Sequence, residues 1–204
     1  MKQSGDGRED LLFWTDRLGI SLSDAAAAQL LSFEALLLEK AVPLGFVARS
    51  DEGRIRERHI LDSLRAALEV QSVDRRALDL GSGAGLPGIV LAIAVPDLRV
   101  GLVESQRRRV GFLELAVERL ELRNAEVVPR RAEELEPGSA DLCTARAFAP
   151  PDRAWQVAKP LLAAGGRLVY FAGEGALQAP TDAAIVSTRP SPLESAGPLV
   201  IMGR

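Results

Sequence analysis

The sequence has little cysteine, little histidine and no long hydrophobic run. Its single cysteine, Cys143, has no partner for an internal disulfide. With one histidine, His59, it cannot build a zinc site from Cys and His ligands, so we expect no metal centre. No run of about 18 apolar residues occurs, and no charged n-region is followed by the apolar h-region of a signal peptide, which argues against a membrane span and an export signal. We therefore expect a cytoplasmic protein.

The sequence also has no excess of positive charge, since 25 Lys and Arg residues stand against 28 Asp and Glu residues. The formal net charge of −3 gives no general attraction to nucleic acid, so any RNA contact would need a local basic patch. The 204 residues are 47% hydrophobic, which is enough for the core of one globular unit that folds unaided. We expect a monomer that binds neither DNA nor membranes.

Apolar residues recur every three or four positions over the first seventy residues, and this spacing predicts helices with one buried face. Residues 1–8 are polar, and we expect them to be disordered. Gly19 ends the first helix, and Ser21 or Ser23 can cap the second. We assign residues 9–70 to a helical cap.

From Arg76 onward, short apolar runs alternate with helical patterns. This alternation requires crossover connections and predicts a mainly parallel sheet. The last two runs, residues 184–187 and 199–202, have no convincing helix between them, so we expect an antiparallel pair at one edge. The predicted fold is a Rossmann-like α/β sheet, with residues 71–204 as one compact domain behind the cap.

A glycine-rich segment from Leu80 to Gly88 follows the first predicted strand, where glycines permit positive φ and close approach of a ligand. It lacks the Lys-Ser or Lys-Thr ending of a phosphate-binding loop. Leu86 occupies the third glycine position of the dinucleotide pattern, which disfavours an NAD-dependent oxidoreductase. The segment instead matches S-adenosylmethionine methyltransferases, and we expect these residues to bind that cofactor: Asp79, Gly81, Gly83 and Gly85.

Two further elements follow the next predicted strands. Glu104 ends the second strand 23 positions after Gly81, where a carboxylate can accept hydrogen bonds from both ribose hydroxyls. NAD and S-adenosylmethionine share that ribose, so Glu104 alone does not separate them. The segment Arg131-Ala132-Glu133-Glu134 follows the third strand and is placed to meet the adenine ring.

Four segments between residues 58 and 149 resemble one family, the small-subunit ribosomal RNA guanine methyltransferases called RsmG or GidB. They are Arg58-His59-Ile60-Leu61-Asp62-Ser63, the loop from Asp79 to Gly88, Glu104-Ser105 with Arg108, Arg109, Phe112 and Leu113, and Arg146-Ala147-Phe148-Ala149. The resemblance implies a class I methyltransferase fold in a cytoplasmic enzyme. It implies methyl transfer from S-adenosylmethionine to nitrogen 7 of one guanine in 16S rRNA, in the 30S subunit. It also implies that the cofactor is contacted by Gly81, Leu86, Ala132, Glu133 and Arg146.

The chain departs from the family pattern in two places. The family usually has Asn-Leu-Thr shortly before the Arg-His segment, whereas this chain has Leu44-Gly45-Phe46. The Lys-Gly common at the end of the fifth strand is Ala172-Gly173 here. If that lysine holds RNA, its absence affects the target contact and leaves the cofactor site unchanged.

The implied chemistry needs positioning more than proton transfer. Nitrogen 7 of guanine has a free lone pair and no proton, so its attack needs no general base. Holding the reacting atoms in line is worth up to ~7–11 kcal/mol, and Arg146 is the candidate catalytic residue in this positioning sense. From Ser105 to Arg131, seven arginines outnumber four glutamates, which makes a modest basic patch. We assign to the RNA backbone Arg54, Arg56, Arg58, Arg107, Arg108 and Arg109.

We interpret His59 as a structural residue rather than a base. Its place beside Arg58 and Asp62 suggests a network that braces the cap against the cofactor loop. Cys143 and Trp155 fall in apolar patterns and are expected in the core. Two alternative functions stay open: a methyltransferase acting on a small molecule or protein, and a non-catalytic ribosome assembly factor that binds through the cap.

Overall fold

The N-terminal region is helical from Gly7 in the computed structural model, which describes residues 7–173, 180, 182–191, 193 and 196–203. Helix α1 covers Gly7–Arg17. Two residues of the tail predicted to be disordered, Gly7 and Arg8, are therefore helical, and the Arg8 guanidinium pairs with Asp24 of the next helix. The rest of that tail, residues 1–6, lies outside the described residues.

Helix α2 covers Asp24–Leu36 and continues through a π-helical turn at Leu37–Ala41. Its first turn is capped by Ser23, whose Oγ accepts a hydrogen bond from the Ala26 amide at 3.1 Å, as predicted. Gly19 adopts φ +74° in the connection from α1, a conformation that glycine takes without steric cost.

An irregular helical segment links the cap to the sheet. It consists of a 3₁₀ turn at Arg49–Arg54, a π-helical turn at Arg56–Leu61, the short helix α3 at Asp62–Leu64 and a 3₁₀ turn at Arg65–Glu69. The apolar spacing of Ile60, Leu61, Leu64, Ala67 and Leu68 predicts a third helix, and the observed winding over these residues changes from π-helical to α-helical and then to 3₁₀. The irregular winding has a local effect. Several polar side chains of this segment lie in the interior.

Seven strands form one sheet in the order β3-β2-β1-β4-β5-β7-β6. The first five run parallel, and β7 is antiparallel to both β5 and β6, which confirms the predicted antiparallel edge. Strand β7 lies between β5 and β6, so the last strand of the chain is interior to the sheet. The strands are β1 Arg76–Leu80, β2 Arg99–Val103, β3 Ala125–Val128, β4 Ala140–Arg146, β5 Leu162–Phe171, β6 Ala184–Arg189 and β7 Leu199–Gly203.

Helices cover both faces of the sheet, which gives the doubly wound arrangement. Helices α4 (Gly88–Ala94) and α5 (Arg107–Arg119) pack with the cap helices on one face. Helix α6 (Pro151–Leu161) packs on the other, where Trp155 and Cys143 are fully buried. Cap and sheet residues share one core. The division at residue 70 therefore marks a change of secondary structure. That it is also a domain boundary stays a prediction.

Strand β5 begins earlier than its apolar pattern predicts. The pattern places the strand from Arg167, but pairing with β4 begins at Leu162 and is interrupted by a register shift. Gly165 adopts φ +76° within this irregular stretch, which explains why the side-chain pattern does not reveal it. Throughout the described parts of the chain, every helix is too short or too polar to span a bilayer.

Candidate functional site

The carboxyl ends of the parallel strands meet at one edge of the sheet, and the predicted site residues follow them there. Two cavities of about 250 and 130 Å³ lie at this edge. Both are lined by Gly81, Arg109 and Ala147, so they form one cleft, whose parts we call the first and the second cavity. Larger cavities of about 530 and 610 Å³ lie elsewhere, and no predicted site residue lines them.

The glycine loop is held by the buried carboxylate of Asp79. Its Oδ2 accepts from the Ser82 hydroxyl at 2.5 Å and the Gly88 amide at 3.0 Å, and its Oδ1 accepts from Thr144 Oγ1 at 2.7 Å. Burial raises the pKa of Asp79, while these three donors lower it. Asp79 was predicted to bind the cofactor, but it lines neither cavity; the structure uses it to tie the loop to β4 and α4.

The three loop glycines have left-handed backbone conformations, with φ +67° at Gly81, +60° at Gly83 and +81° at Gly85. A Cβ on Gly81 would lie 2.5 Å from the Phe148 ring, and one on Gly85 would collide with the side chain of Ile89. Gly81 and Gly83 line the cleft as expected, whereas Gly85 serves the packing of the loop against α4.

Glu104 lines the first cavity directly after β2 and is only 5% exposed. Its Oε2 accepts from the Gly83 amide at 3.1 Å and its Oε1 accepts from the Gln106 amide at 2.8 Å. Arg109 lies 3.7 Å from the same carboxylate. Each carboxylate oxygen has two lone pairs, so Glu104 can still accept from a ligand hydroxyl while it orders the loop.

The segment after β3 lies on the far side of the first cavity. Ala132 and Glu133 line it from a short 3₁₀ helix at Ala132–Glu134, which begins where the sequence places an adenine contact. Ala132 is buried, and Glu133 pairs with Arg153 of α6 at 2.5 Å. Phe148 lines the same cavity opposite them.

Arg146, at the end of β4, lines the second cavity and is held by residues of the cap. Its Nη1 donates to the Arg58 carbonyl at 3.3 Å, to Ser63 Oγ at 3.2 Å and to Asp62 Oδ2 at 3.5 Å. Its Nη2 contacts His59 Nδ1. Burial lowers the pKa of Arg146 and raises that of Asp62. A network of the predicted kind therefore connects the cap to the sheet.

The next residue, Ala147, has φ +50°, which is uncommon for a residue with a side chain. It lines both cavities between Arg146 and Phe148. Its two neighbours line different cavities, Phe148 the first and Arg146 the second. Such strain is frequent at functional sites, where the surrounding structure maintains it.

Of the six predicted RNA-binding arginines, only Arg109 lines the cleft. Arg107 and Arg108 are exposed at the start of α5, and the Arg108 guanidinium lies 5.9 Å from the Phe46 ring centroid. Arg54 and Arg58 are also exposed, each beside one carboxylate. Arg56 differs, because it is bound to Asp10 at 3.0 Å and Glu34 at 2.9 Å within the cap.

Several residues of the cleft were not among the predicted site residues. Phe46 and Val47 line the second cavity from the segment where the chain departs from the family pattern. Arg130 lines the first cavity beside the predicted adenine segment. Asp51 reaches His59 Nε2 at 3.0 Å from a 3₁₀ turn. The sequence gives no local signal for Asp51, because its contact with His59 depends on the irregular winding of the helical segment between them.

These residues fit a nucleoside cofactor with an attached amino-acid part. The Glu104 carboxylate offers acceptors for ribose hydroxyls, and the half-buried backbone of Gly81 lines both cavities without a side chain. Arg146 and Leu86 line the adjoining cavity. In the described residues, no group of three or more His, Cys, Asp or Glu side chains is arranged to hold a metal ion.

Solved structures share this fold. A SAM-dependent methyltransferase from Aquifex aeolicus superposes with a TM-score of 0.60 at 16% identity, covering 78% of this chain and 97% of that one. M. jannaschii TYW2 in complex with AdoMet superposes with a TM-score of 0.56 at 14% identity, covering 72% and 74%. The predicted Rossmann-like methyltransferase fold is thereby confirmed.

Sequence comparisons are more specific. The family model described as GidB, rRNA small subunit methyltransferase G, matches residues 26–185. Ribosomal RNA small subunit methyltransferase G of Acidiphilium cryptum is 42% identical over 163 residues, covering 79% of this chain and 75% of the relative. The protein of the same name from Salinispora tropica is 40% identical over 166 residues, covering 78% and 68%. The chain belongs to the GidB family and is an S-adenosylmethionine-dependent methyltransferase.

Proposed function

We propose that this enzyme methylates nitrogen 7 of a guanine in 16S ribosomal RNA, acting on the 30S subunit as a cytoplasmic monomer. The names of the relatives support the rRNA acceptor, and nitrogen 7 is the position that the family resemblance implies. The observation that supports this position is that the described residues of the second cavity include no free general base.

Of the described residues that line the second cavity, only His59 has a side chain that can take up a proton near neutral pH, and Ser82 has the only hydroxyl. The two ring nitrogens of His59 face Asp51 and Arg146. The Ser82 hydroxyl donates to Asp79. Methylation of an amine or hydroxyl requires loss of a proton, whereas nitrogen 7 attacks with a lone pair that carries none. The cavity therefore suits nitrogen 7.

When bound, S-adenosylmethionine supplies an electrophilic methyl group on a sulfonium sulfur. We assign its sugar to Glu104, its adenine to Ala132 and Glu133, and its amino-acid part to the loop at Gly81 and to Arg146. The roles of this chain are to orient these groups and exclude water. Asp79 acts indirectly, by holding the loop through its three hydrogen bonds.

The start of α5 supports an RNA-binding face beside the cleft. Its first three residues, Arg107, Arg108 and Arg109, lie at the positive end of the helix macrodipole, where anions are favoured and cations are not. The first turn contains no acidic residue, although the Glu104 carboxylate that precedes the helix lies 3.7 Å from Arg109. Because this arrangement costs the free helix stability, an anionic partner is its simplest explanation. We propose that RNA phosphates bind there.

The other proposed phosphate contacts are Arg54 and Arg58, which are exposed on the cap. Each lies beside one carboxylate, Arg54 beside Glu57 at 3.7 Å and Arg58 beside the buried Asp51 at 3.3 Å. Arg56 was also predicted to bind RNA. Its two carboxylate partners inside the cap make it the weakest of the six candidates.

The function is tested by incubating the protein with labelled S-adenosylmethionine and 30S subunits, deproteinised 16S rRNA, or a small-molecule and protein panel. Nucleosides are then separated and identified by mass. We expect label in 7-methylguanosine from the rRNA. Label confined to the panel would favour the alternative acceptor class, and label in another methylated nucleoside would overturn the nitrogen 7 assignment. Absence of cofactor binding would favour the assembly-factor alternative.

A further inference from the structure

We propose that His59 is a positioning residue that holds the Arg146 guanidinium as a neutral hydrogen-bond acceptor, with its tautomer fixed by Asp51. The idea rests on the proposed function, since it assumes that Arg146 lies against the cofactor. It assigns a chemical role to the one histidine of the chain. It also gives the cap a part in the reaction besides RNA binding.

The contacts of the imidazole define one tautomer. Asp51 Oδ2 lies 3.0 Å from His59 Nε2, and an ionised carboxylate can only accept, so the proton is on Nε2. The remaining nitrogen, Nδ1, then carries a lone pair. It faces Nη2 of Arg146, and a guanidinium can only donate. Donor and acceptor roles therefore agree along the whole chain of contacts.

The three side chains are poorly accessible to water, with exposed fractions of 13% for Asp51, 11% for His59 and 16% for Arg146. In such surroundings a hydrogen bond to a charged group constrains geometry strongly. Arg146 comes from the sheet, whereas its side-chain and carbonyl partners come from the cap. The cap thus fixes the orientation of an arginine that the sheet supplies.

Burial, together with the positive charges of Arg146 and Arg58, keeps His59 neutral. Burial and the Arg146 charge lower the pKa of His59 to about 4, against the raising effect of Asp51, and Arg58 lowers it further. Asp62, on α3, contacts Arg146 from another side but is also bound to Arg65 at 2.7 Å. A neutral acceptor orients Arg146 without adding a second negative charge at the guanidinium.

Nuclear magnetic resonance on ¹⁵N-histidine-labelled protein tests the tautomer directly, because the single histidine gives one pair of ring-nitrogen signals. We expect the pattern of a neutral ring protonated at Nε2, unchanged from about pH 8 to about pH 5. A ring protonated at Nδ1, or one that titrates near its ordinary pKa of about 6.5, would overturn the proposal. This measurement needs neither cofactor nor RNA, so it can fail independently of the proposed function.

Two substitutions test the positioning role. In His59→Asn, the side-chain oxygen can replace Nδ1 as the acceptor for Arg146. In His59→Gln, the longer amide reaches toward Asp51 and leaves Arg146 without its acceptor. We expect His59→Gln to raise the Kd for S-adenosylmethionine about tenfold or more, and His59→Asn to stay within about threefold of the parent protein.

Thermal unfolding of both variants controls for loss of fold. Equal weakening of cofactor binding by the two substitutions, at equal Tm, would contradict the positioning role. A different outcome would contradict the proposed acceptor instead. In that outcome the protein binds the cofactor normally and shows the expected tautomer, but it does not methylate rRNA.

Discussion

At the residue scale, the Glu104 carboxylate orders the glycine loop through Gly83 and also lines the first cavity, where we propose that it binds the cofactor sugar. Glu104→Gln replaces one acceptor oxygen by a donor and removes the charge. We expect the Kd for S-adenosylmethionine to rise about 10- to 100-fold, as for loss of a hydrogen bond to a charged group. Calorimetric titration measures this, with the exposed Glu136→Gln as the control. An unchanged Kd would show that Glu104 holds only the loop.

His59 also makes the stability of the protein pH-dependent. Burial and the Arg146 charge place its pKa at about 4 in the folded state, below the ordinary value of 6.5. Between these values the unfolded chain binds more protons than the folded one, so the stability is present above pH 6.5 and is lost as the pH falls toward 4. The loss is roughly 1 to 3 kcal/mol.

Urea unfolding of the parent protein and of His59→Gln across this pH range isolates the contribution. We expect a steeper fall of the unfolding free energy in the parent protein. Identical slopes would mean that His59 has its ordinary pKa in the folded state.

Residue-scale roles were the hardest to predict from sequence. The spacing before the glycines predicts Asp79 as a cofactor ligand, but spacing does not reveal where a carboxylate points, and Asp79 is bound inside the protein by Ser82, Gly88 and Thr144. His59 was recognised as part of a network, yet its partners Asp51 and Arg146 lie 8 and 87 positions away along the chain. Contacts of this kind depend on the tertiary fold.

At the scale of elements, helix α4 depends on a glycine at its first position. A Cβ on Gly88 would lie 2.6 Å from Asp79 Oδ2 and would collide with Leu102. Gly88→Ala should therefore lower the free energy of unfolding by about 1 to 3 kcal/mol through overpacking. Urea denaturation measures the change.

The matched control is Gly111→Ala in α5, where no atom lies within 4 Å of the added Cβ. There alanine has the better helix propensity, and we expect a gain of about 0.5 to 1 kcal/mol. Equal effects of the two substitutions would disprove the packing explanation for Gly88.

Elements were largely predictable because their signals are local. The apolar runs located the strands. Their alternation with helices indicated that most strands of the sheet run parallel. Two features depend on non-local pairing and could not be predicted. They are the insertion of β7 between β5 and β6 and the early, irregular start of β5 at Leu162.

For the whole molecule, the distribution of arginines matters more than the net charge. Exchange of Arg107 and Arg108 for alanine should weaken binding to rRNA roughly tenfold and reduce the salt dependence of binding, because phosphate contacts release counterions. Filter binding at several salt concentrations measures both quantities.

The control is the same exchange at Arg99 and Arg123, which are exposed at the opposite edge of the sheet. We expect that variant to bind rRNA like the parent protein. If both double substitutions weaken rRNA binding equally, RNA binding is a general charge effect, and the proposed face beside the cleft is wrong.

The central claim is that the cleft transfers a methyl group by positioning alone, without removing a proton from the acceptor. The most direct measurement is the single-turnover rate of methyl transfer to rRNA as a function of pH. Our account predicts a rate that is nearly constant from about pH 6 to about pH 8, since nitrogen 7 loses no proton during attack. A rate that rises about tenfold per pH unit over that range would show proton removal by a base and would contradict the account.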